Sequence, residues 1–171
     1  MDDTPPPATD ESTQIDPAIA DAIKFFSALF DERDTVLFRP VESWTEGGRK
    51  KSRVDYRNTY YRSTAPACVY ITLTRLLEVS AKERTNLFFG ACPRVGSKGQ
   101  FDLAPQIRTV RALWADIDHI SVEEALAQIE KAQLPRSTVL VNSGNGVHCY
   151  WRLDQTYLID DAGDPPRILT E

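Results

Sequence analysis

Between Leu113 and Trp151 the chain twice runs an apolar segment into a cluster of reactive polar groups, first in LWADID and about thirty positions later in TVLVNSGNGVHCYW. This pairing constrains the fold more than any other feature. Val110 to Asp118 reads as one strand and Thr138 to Asn142 as another. Between them, Ser121-Val122-Glu123-Glu124 is a capping box opening a helix, with Val122, Ala125, Leu126 and Ile129 on its inner side. Pro135 closes that element. A strand, a capped helix and a strand within about 30 residues predict a βαβ-like unit, and with it an α/β chain.

The chemistry sits at the ends of the two strands. Asp116 and Asp118 are two apart, so both carboxylates share one face of a strand. At about 6–7 Å and an effective dielectric of about 20, their repulsion is on the order of 2–3 kcal/mol. A divalent metal taking oxygen ligands offsets such a charge. Two acids ending a strand are common on surfaces, but these follow Ala112-Leu113-Trp114-Ala115, which reads as buried and makes an unpaired charge costly. The second cluster, Ser143-Gly144-Asn145-Gly146 and then His148, offers a hydroxyl, an imidazole and backbone N–H groups. Its two glycines let a ligand approach the backbone, which suits a phosphate. His119 falls on the face opposite the acids and reads as structural, Trp114 and Trp151 read as core, and Cys149 as a small buried filler. A metal site beside a phosphate cradle points to nucleotide chemistry.

The net charge of −5 is not a property of the folded part, because Asp2, Asp3, Asp10, Glu11 and Asp16 account for all of it. Residues 1–16 form an acidic, Pro-rich tail expected to be disordered. This tail has neither the basic nor the apolar region of a secretory signal, and no apolar run reaches the length of a membrane span, so no membrane partner is expected. The three cysteines are widely spaced without a CxxC, which argues against a zinc site or a disulfide framework and for a reducing cytoplasm. Arg49, Lys50, Lys51, Arg53, Arg57 and Arg62 against Glu46 and Asp55 give a local +4, interleaved with Tyr56, Tyr60 and Tyr61. That is the footprint of a nucleic-acid contact, centred on Arg49, Lys50, Lys51 and Arg53. A solvated hairpin with ordinary strand tyrosines accounts for it equally well.

Residues 17–171 are expected to be one domain, with an N-terminal α/β portion over 17–105 and a motif-bearing sheet over 106–171. Asp16-Pro17 reads as an N-cap and first helical residue, followed by Ile19, Ile23, Phe26 and Phe30 on one helix face. Val36 to Phe38 is a short strand closed by Arg39-Pro40, Gly47-Gly48 a turn, and Val54 to Tyr61 a strand. A helix around Leu73 to Val79, a strand from Asn86 to Gly90, and a loop from Pro93 to Asp102 complete this half. The GSKG in that loop lacks the Gly-Lys-Ser/Thr of a Walker A motif and reads as flexible.

RALWADID followed by SGNGVHCYW resembles the first two motifs of the archaeo-eukaryotic primase superfamily, in particular the primase-polymerase (RepB-like primase) domains of plasmids, phages and bacterial mobile elements. LFRPVESW, NLFFGACPR and IRTVRALWADID resemble a bacterial branch of it, so the similarity runs from about Ala18 onward. The resemblance implies an α/β (α+β) catalytic core with an RRM-like sheet flanked by helices. It implies a DNA primase/polymerase-type nucleotidyltransferase acting on nucleoside triphosphates and a single-stranded DNA template. Asp116 and Asp118 match the acids that hold two Mg²⁺ or Mn²⁺ ions. Ser143 and His148 match the pair contacting the incoming triphosphate, with Gly144 and Gly146 allowing close approach, so Asp116, Asp118 and His148 are the expected catalytic set. A helicase partner or fused helicase domain goes with full-length relatives.

The family's third motif, a further acid followed by an Arg-rich segment, has no match here. Asp154, Asp160, Asp161 and Asp164 follow too closely behind the second motif. The expectation is therefore a C-terminally truncated core that lacks the third carboxylate and is impaired by itself. Two alternatives stand beside it. One is a non-catalytic nucleic-acid-binding replication module. The other is a haloacid-dehalogenase-type phosphohydrolase using Asp116 and Asp118, with Asp160-Asp161 as its acidic pair. Against the second, the interval from Ser143 to Asp160 contains no lysine.

Overall fold

The computed structural model describes residues 15–83, 85–95 and 106–159. The acidic tail before Ile15, the GSKG loop, and Asp160, Asp161 and Asp164 lie outside the described residues. Helix α1 (Pro17–Leu29) begins as its sequence dictates: the Asp16 carboxylate accepts the Ala18 N–H at 2.8 Å, and Pro17 occupies the first turn, where no N–H is needed. Ile19, Phe26 and Leu29 are buried along one stripe.

The first sheet is built on β1 (Thr35–Glu46), which carries β2 (Arg49–Val54) and β3 (Tyr60–Ser63) end to end along one edge. On its other edge lies β4 (Thr85–Phe89), and every pairing is antiparallel. Helix α2 (Pro66–Glu83) connects β3 to β4 and packs against α1. It extends well beyond the Leu73 to Val79 expected from sequence.

Two strand boundaries also differ from expectation. Pro40 does not close β1 but lies within it, opposite Leu87 of β4. Its carbonyl accepts the Asp55 N–H at 3.0 Å, so its missing N–H faces the same edge, in the gap between the β3 pairing (ending at Phe38) and the β2 pairing (starting at Val41). The expected Val54–Tyr61 strand is interrupted. The Asp55 carboxylate accepts the Arg57 and Asn58 N–H groups and the Asn58 side-chain amide, and this local turn outcompetes the ladder.

The second sheet has β7 (Gly146–Leu158) in the middle, flanked by β5 (Thr109–Asp118) and β6 (Val139–Asn142), both antiparallel to it. The β5–α3–β6 crossover, with α3 (Val122–Lys131), is therefore a split βαβ unit, and β7 returns between its two strands. Ser121 caps α3 as expected: its hydroxyl accepts the Glu124 N–H at 3.2 Å, and the Glu124 carboxylate accepts the Ser121 N–H at 3.0 Å. The Ser121 N–H, with the Ser121 side chain, holds the Glu124 carboxyl below its usual value. Ala125 and Ile129 are buried, but Leu126, expected on the inner side, is exposed.

One face of this sheet packs on α3, through Val147, Cys149, Leu140, Ile117 and Trp151. Among the described residues, the other face is covered at one end only. There Ala112, Tyr150, Val139 and Val141 join Phe26, Leu29, Phe30, Val36 and Phe38 in a core shared with the first sheet. Phe25 meets Tyr150 and Phe89 edge to face, with centroids 5.0 and 5.2 Å apart.

A polar cluster fixes the relation between the two sheets. The register between β5 and β7 breaks at Arg111: Val110 pairs with Tyr157, but Ala112 pairs with Arg152. Arg111 reaches the α1–β1 connection, with Nε and Nη2 donating to Asp34 at 2.9 and 3.0 Å and Nη1 2.7 Å from Asp31. It also donates to the Thr156 hydroxyl. Arg152 binds Asp31 at 2.9 Å and donates to the Ala28 carbonyl at the C-terminus of α1 at 3.2 Å. Asp34 raises the Arg111 pKa further, against partial burial.

Candidate functional site

The strand period and the β5–β7 register bring the expected residues into two adjacent rungs of one sheet. Asp116 lies directly opposite His148, and Asp118 directly opposite Gly146. On the next strand Val141 is opposite His148, and Ser143, just past β6, bonds across to Gly146. Because 112, 114, 116 and 118 alternate with 113, 115 and 117, the two acids share the face of Ala112 and Tyr150, not the α3 face. That face is closed by the shared core at the Ala112–Tyr150 end and opens toward Asp116 and Asp118, both exposed.

His148 Nε2 stands 3.2 Å from Asp116 Oδ1, with side-chain exposures of 37% and 60%. Tyr150, two residues along β7, has its hydroxyl pKa raised, first by burial and then by the Asp116 negative charge. Asp118 lies at the rim of a cleft of about 450 Å³, together with His119, Ile120, Glu124 and Gln128 beside the start of α3. Among the described residues, no three His, Cys, Asp or Glu side chains come close enough together to form a metal site.

The phosphate-cradle expectation is modified by the turn's own hydrogen bonds. Ser143 donates both its N–H and its hydroxyl to the Gly146 carbonyl, each at 3.0 Å. Gly144 donates its N–H to the Asn142 side chain at 2.9 Å. The two glycines serve different purposes. A Cβ on Gly146 would collide with the Ile117 carbonyl oxygen and stand 2.9 Å from Asp118 Cα, so the close approach it permits is that of β5. Gly144 has φ +83° with open space where a Cβ would stand, and is glycine for conformation.

Other expectations fare unevenly. Cys149 is fully buried against α3, and Trp151 packs there with its Nε1–H donating to the Pro135 carbonyl at 2.8 Å. Trp114 is not a core residue. It is 51% exposed, on the face of Asp116 and across from Tyr150, so the apolar run before the acids is buried at Ala112 but open at Leu113 and Trp114. Its parity with Asp116 and Asp118 was the sequence signal for that placement. His119 does not continue the strand. It has φ +57°, and its N–H donates to the Asn145 carbonyl at 2.7 Å, tying the β5–α3 turn to the β6–β7 turn. Arg49, Lys50, Lys51 and Arg53 lie apart from this constellation, on β2 of the first sheet.

No family model matches the sequence, and no curated protein matches it. Among solved structures the chain is similar to the AEP domain of a primase-polymerase from cyanophage S-2L, with a TM-score of 0.54 and 16% identity. The match covers 81% of this chain and 64% of the other, so the chain spans less than two thirds of the neighbour's length. At that identity the likeness shows the fold alone, the mixed α/β architecture of that domain. Among the described residues, no helix is long and apolar enough to cross a membrane.

Proposed function

We propose that this chain carries the metal- and triphosphate-binding part of a DNA primase/polymerase-type nucleotidyltransferase, which adds nucleotides to a strand under the direction of a single-stranded DNA template. One observation carries the reading: Asp116, Asp118 and His148 occupy facing positions at the open end of one sheet face, beside the Ser143–Gly146 turn. The fold shared with a primase-polymerase domain supports it. No activated nucleophile is needed for such chemistry, because the attacking hydroxyl belongs to the nucleic acid.

The donors fit a hard divalent cation, Mg²⁺ or Mn²⁺: two exposed carboxylates on one face, with room for the waters such ions retain. Asp116 and Asp118 would hold it, and when bound it supplies activation of the attacking hydroxyl and neutralisation of the departing pyrophosphate. His148 offers an N–H to phosphate oxygens from the same face. Ser143 would exchange its bond to the Gly146 carbonyl for one to a phosphate oxygen.

The test is binding of a fluorescent nucleoside triphosphate in Mg²⁺, Mn²⁺ or EDTA, for wild type, Asp116→Ala and His148→Ala. Metal-dependent binding that weakens by at least about tenfold in both variants supports the site. No binding by a folded sample removes the reading. One observation favours a second reading, a nucleic-acid-binding replication module without catalysis: the described residues bring no third ligand to the acids. Template binding unaffected by EDTA and by Asp116→Ala, without triphosphate binding, would establish it.

A further inference from the structure

β1 outruns its sheet. β4 pairs with it only as far as Glu42, but β2 continues opposite it to the Glu46–Arg49 pair at the tip. From Trp44 to Arg53 every residue is exposed, on both faces of the ribbon. A two-stranded ribbon with no covered face adds nothing to a core, so burial does not explain its length. Its tip is nonetheless well defined, because Gly47 and Gly48 both have positive φ, at +57° and +74°, as the twist-matched two-residue hairpin requires.

The charges on this arm are not self-cancelling. Lys51 is paired with Glu46, and Arg53 with Glu42 at 2.6 Å. Arg49 and Lys50, next to the tip, have no ion pair among the described residues. Trp44, 40% exposed, lies directly across from Lys51. At the base of the arm is a cavity of about 580 Å³ whose lining sets Arg53 and Arg57 beside Glu42 and Asp55, with Tyr56 and Asn58. Tyr56 is 72% exposed at its rim. Asp55, an acid of this segment, is held by Asn58 and by the Arg57 N–H, and the Arg57 guanidinium acts on it through its charge but makes no ion pair among the described residues.

We infer that the β1–β2 arm and the rim of the cavity at its base form a binding track for single-stranded nucleic acid, with Arg49, Lys50 and Arg57 on phosphates and Trp44 and Tyr56 stacked on bases. Cations alone would suit any polyanion. The exposed aromatic rings select a strand whose bases are unstacked, over a duplex or an acidic protein. The inference deepens the proposed function, since template-directed synthesis needs such a track, but it rests on residues of the other sheet.

The test is fluorescence anisotropy of a labelled 16-nucleotide single-stranded DNA with the full chain in EDTA, without triphosphate. The competitors are a duplex, an abasic strand of equal charge, and polyglutamate. The paired substitution Arg49→Glu with Lys50→Glu should weaken binding about tenfold or more and lower the slope of log K against log salt by about 1.4. Tyr56→Ala should weaken it about tenfold, with the abasic strand competing poorly. Asp116→Ala should leave it unchanged, and the arm variants should keep metal-dependent triphosphate binding, so this proposal and the one above fail separately. Binding within twofold of wild type in the arm and Tyr56 variants overturns the track, as does equal competition by the abasic strand or by polyglutamate.

Discussion

Arg111 and His148 each face a carboxylate at opposite ends of the β5–β7 pair, and the two ends are built for different purposes. Arg111 and Asp34 are 20% and 10% exposed, joined by two parallel hydrogen bonds and braced by Asp31, Thr156 and Arg152. His148 and Asp116 are 37% and 60% exposed and joined by one contact of 3.2 Å. In the first setting water has been removed, so each charge depends on its partner, and the partnership fixes where α1 and β1 sit relative to the motif sheet. In the second, water competes, the contact is weak, and both groups stay available to a ligand. A basic side chain facing a carboxylate thus positions the site at one end and constitutes it at the other.

The comparison breaks most easily at the buried end. Arg111→Met leaves the largely buried Asp34 without its cation, while Asp31 keeps Arg152, and should cost about 3 kcal/mol of stability in urea unfolding. A loss below about 1 kcal/mol would mean that the cluster does not hold the sheets together. Gly146→Ala comes next, at about 2 kcal/mol or more, because β5 backbone occupies the space its Cβ needs. Gly144→Ala should cost about 1 kcal/mol, from its positive φ alone. Equal losses at the two glycines would refute the division of roles between them.

At the open end the expected stability effect is small and the functional effect large. Asp116→Asn should change unfolding stability by less than about 0.5 kcal/mol. In the same variant, metal-dependent triphosphate binding should fall about tenfold or more. A large stability loss there would make Asp116 a structural partner of His148 instead.

Asp55 supplies the smallest effect and an internal control, a carboxylate in a surface turn that is nonetheless wrapped in local bonds. The Asn58 side chain, with the Asn58 and Arg57 N–H groups, holds its carboxyl below the ordinary value despite some burial. Its contribution is therefore complete above an unfolded-state pKa of about 3.9 and is lost as pH falls through the lower folded value. The difference in urea midpoint between wild type and Asp55→Asn should shrink on acidification below about pH 4. A difference independent of pH would show that the turn does not depend on the charged form.

The elements set by neighbours in the chain were legible without a structure. Asp16-Pro17, Gly47-Gly48 and the Ser121–Glu124 box each act within a few residues, and each appears where its chemistry places it. The shared face of Asp116 and Asp118 is equally local, because it follows from the strand period. What the tertiary structure decided is everything that depends on pairing across the chain. It set β7 between β5 and β6, and so placed His148 opposite Asp116. It threaded Pro40 through a gap between two partner strands. It left Trp114 exposed, because the packing on that face ends at Tyr150. Hydrophobic periodicity specifies which residues share a face. It does not specify what covers that face, and at this site the partial cover separates the core from the open carboxylates.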